Sequence, residues 1–252
     1  MCHDLQLYVF PTPFTNVETL RLSYEHMFTL TGPRGICTAL IGSSVRSLVV
    51  HDSQKVDYWD DEACSMGVRD MARWLARTPI QHLELHNMYE QCHNKDAIAS
   101  MWETLGDSCV TSMSIQERCL HEDIAYYFAF ILDTYLARTI IDRLALSRFE
   151  VDKYREFDWS AARAMTNALW SSQLRCVDLS KSGFKEAKYI EGLLVGVETS
   201  TALEQLIVDD SDFKAAASFL EALGAPKATP KRSLTLRDES RRQERIFWRL
   251  AN

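Results

Sequence analysis

The sequence predicts an α/β solenoid in which short parallel strands alternate with helices and each strand–helix unit stacks on the next. Three observations lead there. An apolar pattern recurs eight times at near-constant spacing. Each copy alternates apolar and polar residues over a few positions, as a strand with one buried face does. Between copies the periodicity switches to helical three- and four-residue steps.

Aligned on their central apolar residue, the copies fall at Leu20, Leu48, Leu83, Met113, Leu144, Val177, Leu206 and Leu234, with steps of 28, 35, 30, 31, 33, 29 and 28 residues. Two places later stand Leu22, Val50, Leu85, Ile115, Leu146, Leu179, Val208 and Leu236. Three places earlier stand Val17, Val45, Ile80, Val110, Ile141, Leu174 and Leu203, and only Lys231 breaks the column. One such match would carry little weight, but eight in register define a repeat.

In chain order, residues 1–16 hold Leu5, Leu7 and Val9 in alternation and are expected to cap the first unit. Residues 17–239 form the repeat domain. Within it, Ile124, Tyr127, Phe128, Ile131 and Tyr135 share one helix face, as do Ala161, Ala164, Met165, Ala168 and Leu169. The same spacing recurs at Phe184, Ala187, Ile190, Leu194 and Val197, and at Phe213, Ala216, Ala217, Leu220 and Leu223. Asp158 or Ser160 can cap the second of these helices through a side-chain oxygen. Neither a half-buried strand nor an amphipathic helix hides its apolar side alone, so each unit must stack on its neighbour. Residues 240–252 place Ile246, Phe247 and Leu250 on one side of a basic stretch and are expected as a C-terminal capping helix.

Composition narrows the class. The chain has 252 residues, 46% of them apolar, and a net charge of -7. An acidic chain is a poor match for nucleic acid or an anionic membrane, both of which select basic surfaces. No run approaches the roughly 18 apolar residues of a membrane span. The seven cysteines are scattered without a CxxC pair, as in a reduced cytoplasmic or nuclear protein.

The stretches 174–184 and 203–213 both read L-x-x-(V/L)-x-(L/V)-x-x-S-x-F. This resembles the leucine-rich repeat family, in the long-repeat subtype of the ribonuclease inhibitor, and the resemblance covers residues 17–239. It implies a horseshoe of about eight units, with parallel strands on the concave side and helices on the convex side. It also implies a non-catalytic scaffold or adaptor that binds proteins. One column departs from the family. Where Asn or Cys is usual, three residues after the second strand apolar, stand Glu25, Ser53, Met88, Arg118, Phe149, Ser182, Ser211 and Glu239. Turns in the middle units are therefore expected to be irregular.

Side chains between the buried strand positions point to the open face of the sheet. Eight strands about 4.8 Å apart would span roughly 34 Å, a width that suits a protein or peptide. On this face the candidate partner-binding residues are Arg21, His51, His82, Glu84, His86, Gln116, Arg143, Asp178, Asp209 and Arg237, with Asp210 beside them. The acidic, aromatic segments 55–61 and 152–159 occupy the two longest steps, where insertions fall on loops, and add Tyr58 and Trp59. The acidic residues near the end of the chain suit a partner with a basic surface, and the chain would serve as a subunit of a larger assembly. No cofactor is implied.

Catalytic readings find less support. His82, Glu84 and His86 share a strand face, but the step from i to i+2 is about 6.8 Å, too wide for three ligands on one ion. His51 beside His86 could form a two-ligand site or a pH-sensitive contact, and a solvated polar face is the expectation. No P-loop, dinucleotide glycine pattern or nucleophile elbow occurs. The alternative to a scaffold is an enzyme regulator. It could be a GTPase activator acting through a loop arginine such as Arg34, flanked by Gly32, Pro33 and Gly35, or a ubiquitin-ligase substrate receptor.

Overall fold

The computed structural model describes residues 17–23, 40–51, 61–88, 94–116, 122–147, 167–179, 202–209, 232–237 and 243–248. They belong to two units, divided between Thr111 and Ser112. Each unit is α/β and built on parallel strands. No helix among the described residues is long and apolar enough to cross a membrane.

In the first unit, strands β1 (Thr19–Ser23), β2 (Ser47–His51) and β3 (His82–His86) pair in parallel, with Leu20 opposite Leu48 and Leu48 opposite Leu83. Helix α1 (Asp61–Leu75) follows β2 and helix α2 (Lys95–Leu105) follows β3, and the two helices pack together. The register is the one the repeated apolar positions demand, because a slip of one residue would turn every buried side chain to the other face. Leu48, Val50, Leu83 and Leu85 are buried from the strands; Val68, Met71, Ala72 and Leu75 are buried from α1 at helical spacing. From α2 come Ala97, Ile98, Met101, Trp102 and Leu105. Burying each large apolar side chain contributes about 1.5–3 kcal/mol, so this stripe sets where α2 lies. Its start is set by Asn94, whose side-chain oxygen accepts from the Ala97 amide at 3.0 Å, with Asp96 favouring the positive end of the helix.

In the second unit, β4 (Ser112–Gln116), β5 (Arg143–Ser147), β6 (Cys176–Asp178), β7 (Gln205–Asp209) and β8 (Arg232–Arg237) pair in parallel and in sequence order. Met113, Leu144, Val177, Leu206 and Leu234 stand opposite one another along the register. Helix α3 (Glu122–Tyr135) follows β4 and tightens into a 3-10 turn at Leu136–Arg138. Phe128, Ile131, Leu132 and Leu136 supply its buried side, and residues 167–171 are helical with Ala168, Leu169 and Trp170 buried. Parts of the open face are less exposed than an open sheet face would be. Val49 and Ile207 lie on it yet are only 6% and 8% exposed.

The C-terminal stretch overturns one expectation. Gln243–Trp248 is not a capping helix but a strand, β9, antiparallel to β8, with Leu234 opposite Ile246 and Arg232 opposite Trp248. Ile246, Phe247 and Trp248 in succession favour an extended backbone, and pairing satisfies amides and carbonyls that β8 would otherwise present as an open edge. The expected N-terminal cap at 1–16, the helices at 184–197 and 213–223, and Asp158 and Ser160 lie outside the described residues.

Five crossings from a helix end into the next strand share one local design. At each, a buried Ser or Thr sits two residues before a buried apolar residue that precedes the strand: Ser43, Thr78, Ser108, Thr139 and Ser172, before Val45, Ile80, Val110, Ile141 and Leu174. Four of the hydroxyls donate back three residues, from Thr78 to Leu75 at 3.2 Å, Ser108 to Leu105 at 2.8 Å, Thr139 to Leu136 at 2.8 Å and Ser172 to Leu169 at 2.5 Å. At Ser43 the backbone amide makes this bond instead, to Leu40 at 3.1 Å. The hydroxyls of Ser43, Ser108, Thr139 and Ser172 each accept from the amide two residues on, all at 3.3 Å. A helix end leaves carbonyls without partners, and burial makes that costly, so at Ser108, Thr139 and Ser172 one hydroxyl answers both the last turn and the approach to the strand. Next along the chain, a single carbonyl accepts two amides from the following crossing. Glu18 serves Arg46 and Ser47, Arg46 serves Gln81 and His82, Asp142 serves Arg175 and Cys176, and Arg175 serves Glu204 and Gln205.

The turn after β3 is the one departure column within the described residues. Met88 is buried, and Asn87 before it is also buried and holds a left-handed backbone, φ 55. Asn is among the few residues that tolerate this conformation.

Candidate binding face

The polar columns of each sheet assemble on its open face, and each unit presents its own set. In the first unit, register sets Thr19, Ser47 and His82 in one row and Arg21, Val49 and Glu84 in the next. Arg21 and His82 are exposed; His51, Glu84 and His86 are half-buried. The pairing of β2 with β3 ends with Val50 opposite Leu85, one residue before His51 and His86. His86 Nε2 lies 2.6 Å from Glu84 Oε1, so the two side chains close the gap that their backbone spacing leaves. This contact becomes an ion pair when the imidazole is protonated. Among the described residues no group of three His, Cys, Asp or Glu is placed to hold a metal ion.

In the second unit, Arg143, Cys176 and Gln205 form one row and Ala145, Asp178 and Ile207 the next. Gln116 stands opposite Ser147, and both are half-buried. Cys176 Sγ contacts Gln205 Oε1 at 3.6 Å. At the far end of the strands, the backbones of Asp209 and Arg237 are opposite one another. Tyr58, Trp59, Asp210 and Arg34 lie outside the described residues, as does the segment 152–159; of 55–61, only Asp61 lies within them, as the first residue of α1.

Sequence reasoning missed a charged ladder along the strand entries of the second unit. Arg175 donates to both carboxylate oxygens of Glu204 at 2.9 Å through Nη2, with Nε at 3.1 Å from Oε1. Its Nη1 is 3.9 Å from Asp142, and Arg143 Nε is 4.0 Å from the same carboxylate. Hydrogen bonding to Glu204, then its charge, and to a lesser degree Asp142, holds the Arg175 guanidinium above its ordinary pKa. The signal was present in the column two places before each central apolar residue, where Asp142, Arg175 and Glu204 alternate in sign. These groups are surface-exposed, so the ladder orders neighbouring crossings more than it stabilises the fold. Helix α3 adds an aromatic pair, half-buried Tyr127 stacked on Phe130 with ring centroids 6.4 Å apart and Phe130 itself 55% exposed.

Rows of polar side chains on a rigid sheet offer shape, charge and hydrogen bonds to an extended surface. Neither a protein-family model nor a curated protein matches this chain.

Proposed function

We propose that the chain is a non-catalytic scaffold or adaptor of the leucine-rich repeat type, a horseshoe that binds a protein partner through the open face of its sheet. The observation that carries this reading is the register of the second unit. Five strands pair in sequence order and in one register, and Met113, Ile115, Leu144, Leu146, Val177 and Leu206 are buried from the first four of them. At about 4.8 Å per strand this face is about 19 Å wide, broad enough for a peptide or a protein edge. The recurring crossings support the repeat architecture, since the same hydroxyl does the same work at spacings that follow the apolar pattern. Within this reading the partner is a protein with a basic surface, bound in the cytoplasm, with no chemistry performed on it.

The test is affinity capture followed by mass spectrometry, comparing the wild-type chain with Asp178→Lys/Asp209→Lys. A control, Glu103→Lys/Asp107→Lys, changes the charge equally at two exposed positions away from the sheet. The reading expects the first variant to lose the partners that the control keeps, with both variants folded by circular dichroism. Equal recovery by all three proteins would refute the binding face.

A further inference from the structure

We propose that two copies of the chain associate through helices α1 and α2, the basic end of α1 in one copy meeting the acidic end of α2 in the other. The proposal is independent of the open-face reading, since it uses the helix side of the first unit. Arg73 and Arg77 are exposed at the end of α1, and Glu103 and Asp107 are exposed at the end of α2. The two ends are built alike. Arg73 and Glu103 each stand five residues before a crossing hydroxyl, Thr78 or Ser108, and Arg77 and Asp107 stand immediately before it. The Arg77 amide donates to the Trp74 carbonyl at 2.9 Å, and the Asp107 amide donates to the Thr104 carbonyl at 3.0 Å. The two helices pack together, so a positive ridge runs beside a negative one.

Among the described residues no ion pair joins the two ridges. Arg73 pairs with Asp70 on its own helix at 3.1 Å and keeps its side chain 74% exposed. Glu103 suits its own helix poorly, because a carboxylate in the last turn meets the negative end of the macrodipole, and no basic residue stands in that turn. A two-fold axis parallel to the helices and midway between them lays α1 of each copy over α2 of the other. Because the ridges occupy equivalent places in equivalent turns, this brings Arg73 to Glu103 and Arg77 to Asp107. Each pair forms twice, as an isologous interface requires. The net charge of -7 on each copy opposes association at long range. At physiological salt the Debye length of about 8 Å screens that spread charge more than it screens pairs in contact. Exposed pairs are individually weak, so the dimer is a weak one that forms at high protein concentration.

Sedimentation equilibrium of the full chain over a range of concentrations provides the test. The wild type is expected to dimerise reversibly, with a Kd that rises at least about fivefold between about 0.15 M and about 1 M salt. Arg73→Glu/Arg77→Glu leaves both ridges acidic, and Glu103→Arg/Asp107→Arg leaves both basic. Each should be monomeric alone, with its circular dichroism unchanged. Mixed in equal amounts, the two should form a heterodimer, because each ridge then meets its opposite. Attraction between the ridges of one chain does not produce that result. One chain carrying all four changes should again dimerise with itself. The neutral change Arg73→Gln/Arg77→Gln should weaken the wild-type dimer about tenfold, and it serves where a charge-reversed chain fails to fold. The dimer leaves the open sheet face free, so a monomeric Glu103→Lys/Asp107→Lys chain still captures the partners of that face. A wild type that stays monomeric, a dimer indifferent to these changes, or a mixture of the two reversed chains that stays monomeric would overturn the proposal and leave the open-face reading standing.

Discussion

At the crossings of Ser108, Thr139 and Ser172 a single hydroxyl has two jobs, and removing it leaves the strand-entry amide without its partner. Ser108 donates to the Leu105 carbonyl and accepts from the Val110 amide, and all three residues are buried. An unmet buried hydrogen bond costs about 1–3 kcal/mol. Ser108→Ala is therefore expected to lower the stability measured by urea unfolding by about 1–2 kcal/mol, while Ser108→Thr, as found naturally at residues 78 and 139, should stay within about 0.5 kcal/mol. A neutral alanine variant would show that the hydroxyl is incidental. Trp102 sits at the other extreme of size and is fully buried in α2. Trp102→Ala should cost about 3–5 kcal/mol, because the cavity adds to the lost transfer energy. The apolar columns that bury these residues were legible from spacing alone. The hydroxyl column was equally present in the sequence, but its meaning depends on which backbone groups the crossing leaves unpaired.

At the scale of elements, α2 shows how local and tertiary signals combine. Its buried residues run along one stripe, and its start is set by Asn94 accepting from Ala97. Asn94→Ala should cost about 1 kcal/mol and Asn94→Asp very little, a difference readable by thermal melts. Strand β9 shows the opposite case. Its residues fit a helical face by spacing, yet the chain pairs them with β8, because an unpaired strand edge is a stronger demand than a modest helical pattern. The Asp142–Arg175–Glu204 ladder also belongs to this scale. Because the Arg175 pKa is raised in the folded state, its contribution is fully present at every pH below arginine's ordinary value and is lost only as pH rises beyond it. Moderate alkalinity should leave the melting temperature difference between wild type and Arg175→Gln unchanged, whereas salt should shrink it. A difference that collapses between neutral pH and moderate alkalinity would contradict this assignment.

At the scale of the whole chain, the spacing of the hydroxyls makes a claim about the repeat itself. The residue five places before each central apolar position is Thr15, Ser43, Thr78, Ser108, Thr139, Ser172, Thr201 or Thr229, a hydroxyl in all eight copies. If the repeat governs the entire chain, Thr201→Val should destabilise it by about 1–2 kcal/mol, like Ser108→Ala. A change below about 0.5 kcal/mol would mark the match at 201 as chance.

The sequence by itself determined where β1–β8 fall and that the repeated apolar residues of β2–β6 are buried. A period-two apolar pattern admits only one register when one face must be dry, and eight aligned copies leave little freedom about where each strand begins. Tertiary structure decided what one chain segment cannot specify alone: that Asp178 stands between Ala145 and Ile207, that Glu84 reaches His86, that Arg175 bridges Asp142 and Glu204, and that the last segment pairs as a strand. Each depends on groups brought together by the pairing of strands or the meeting of side chains. Their energies come from proximity, which spacing along the chain does not reveal.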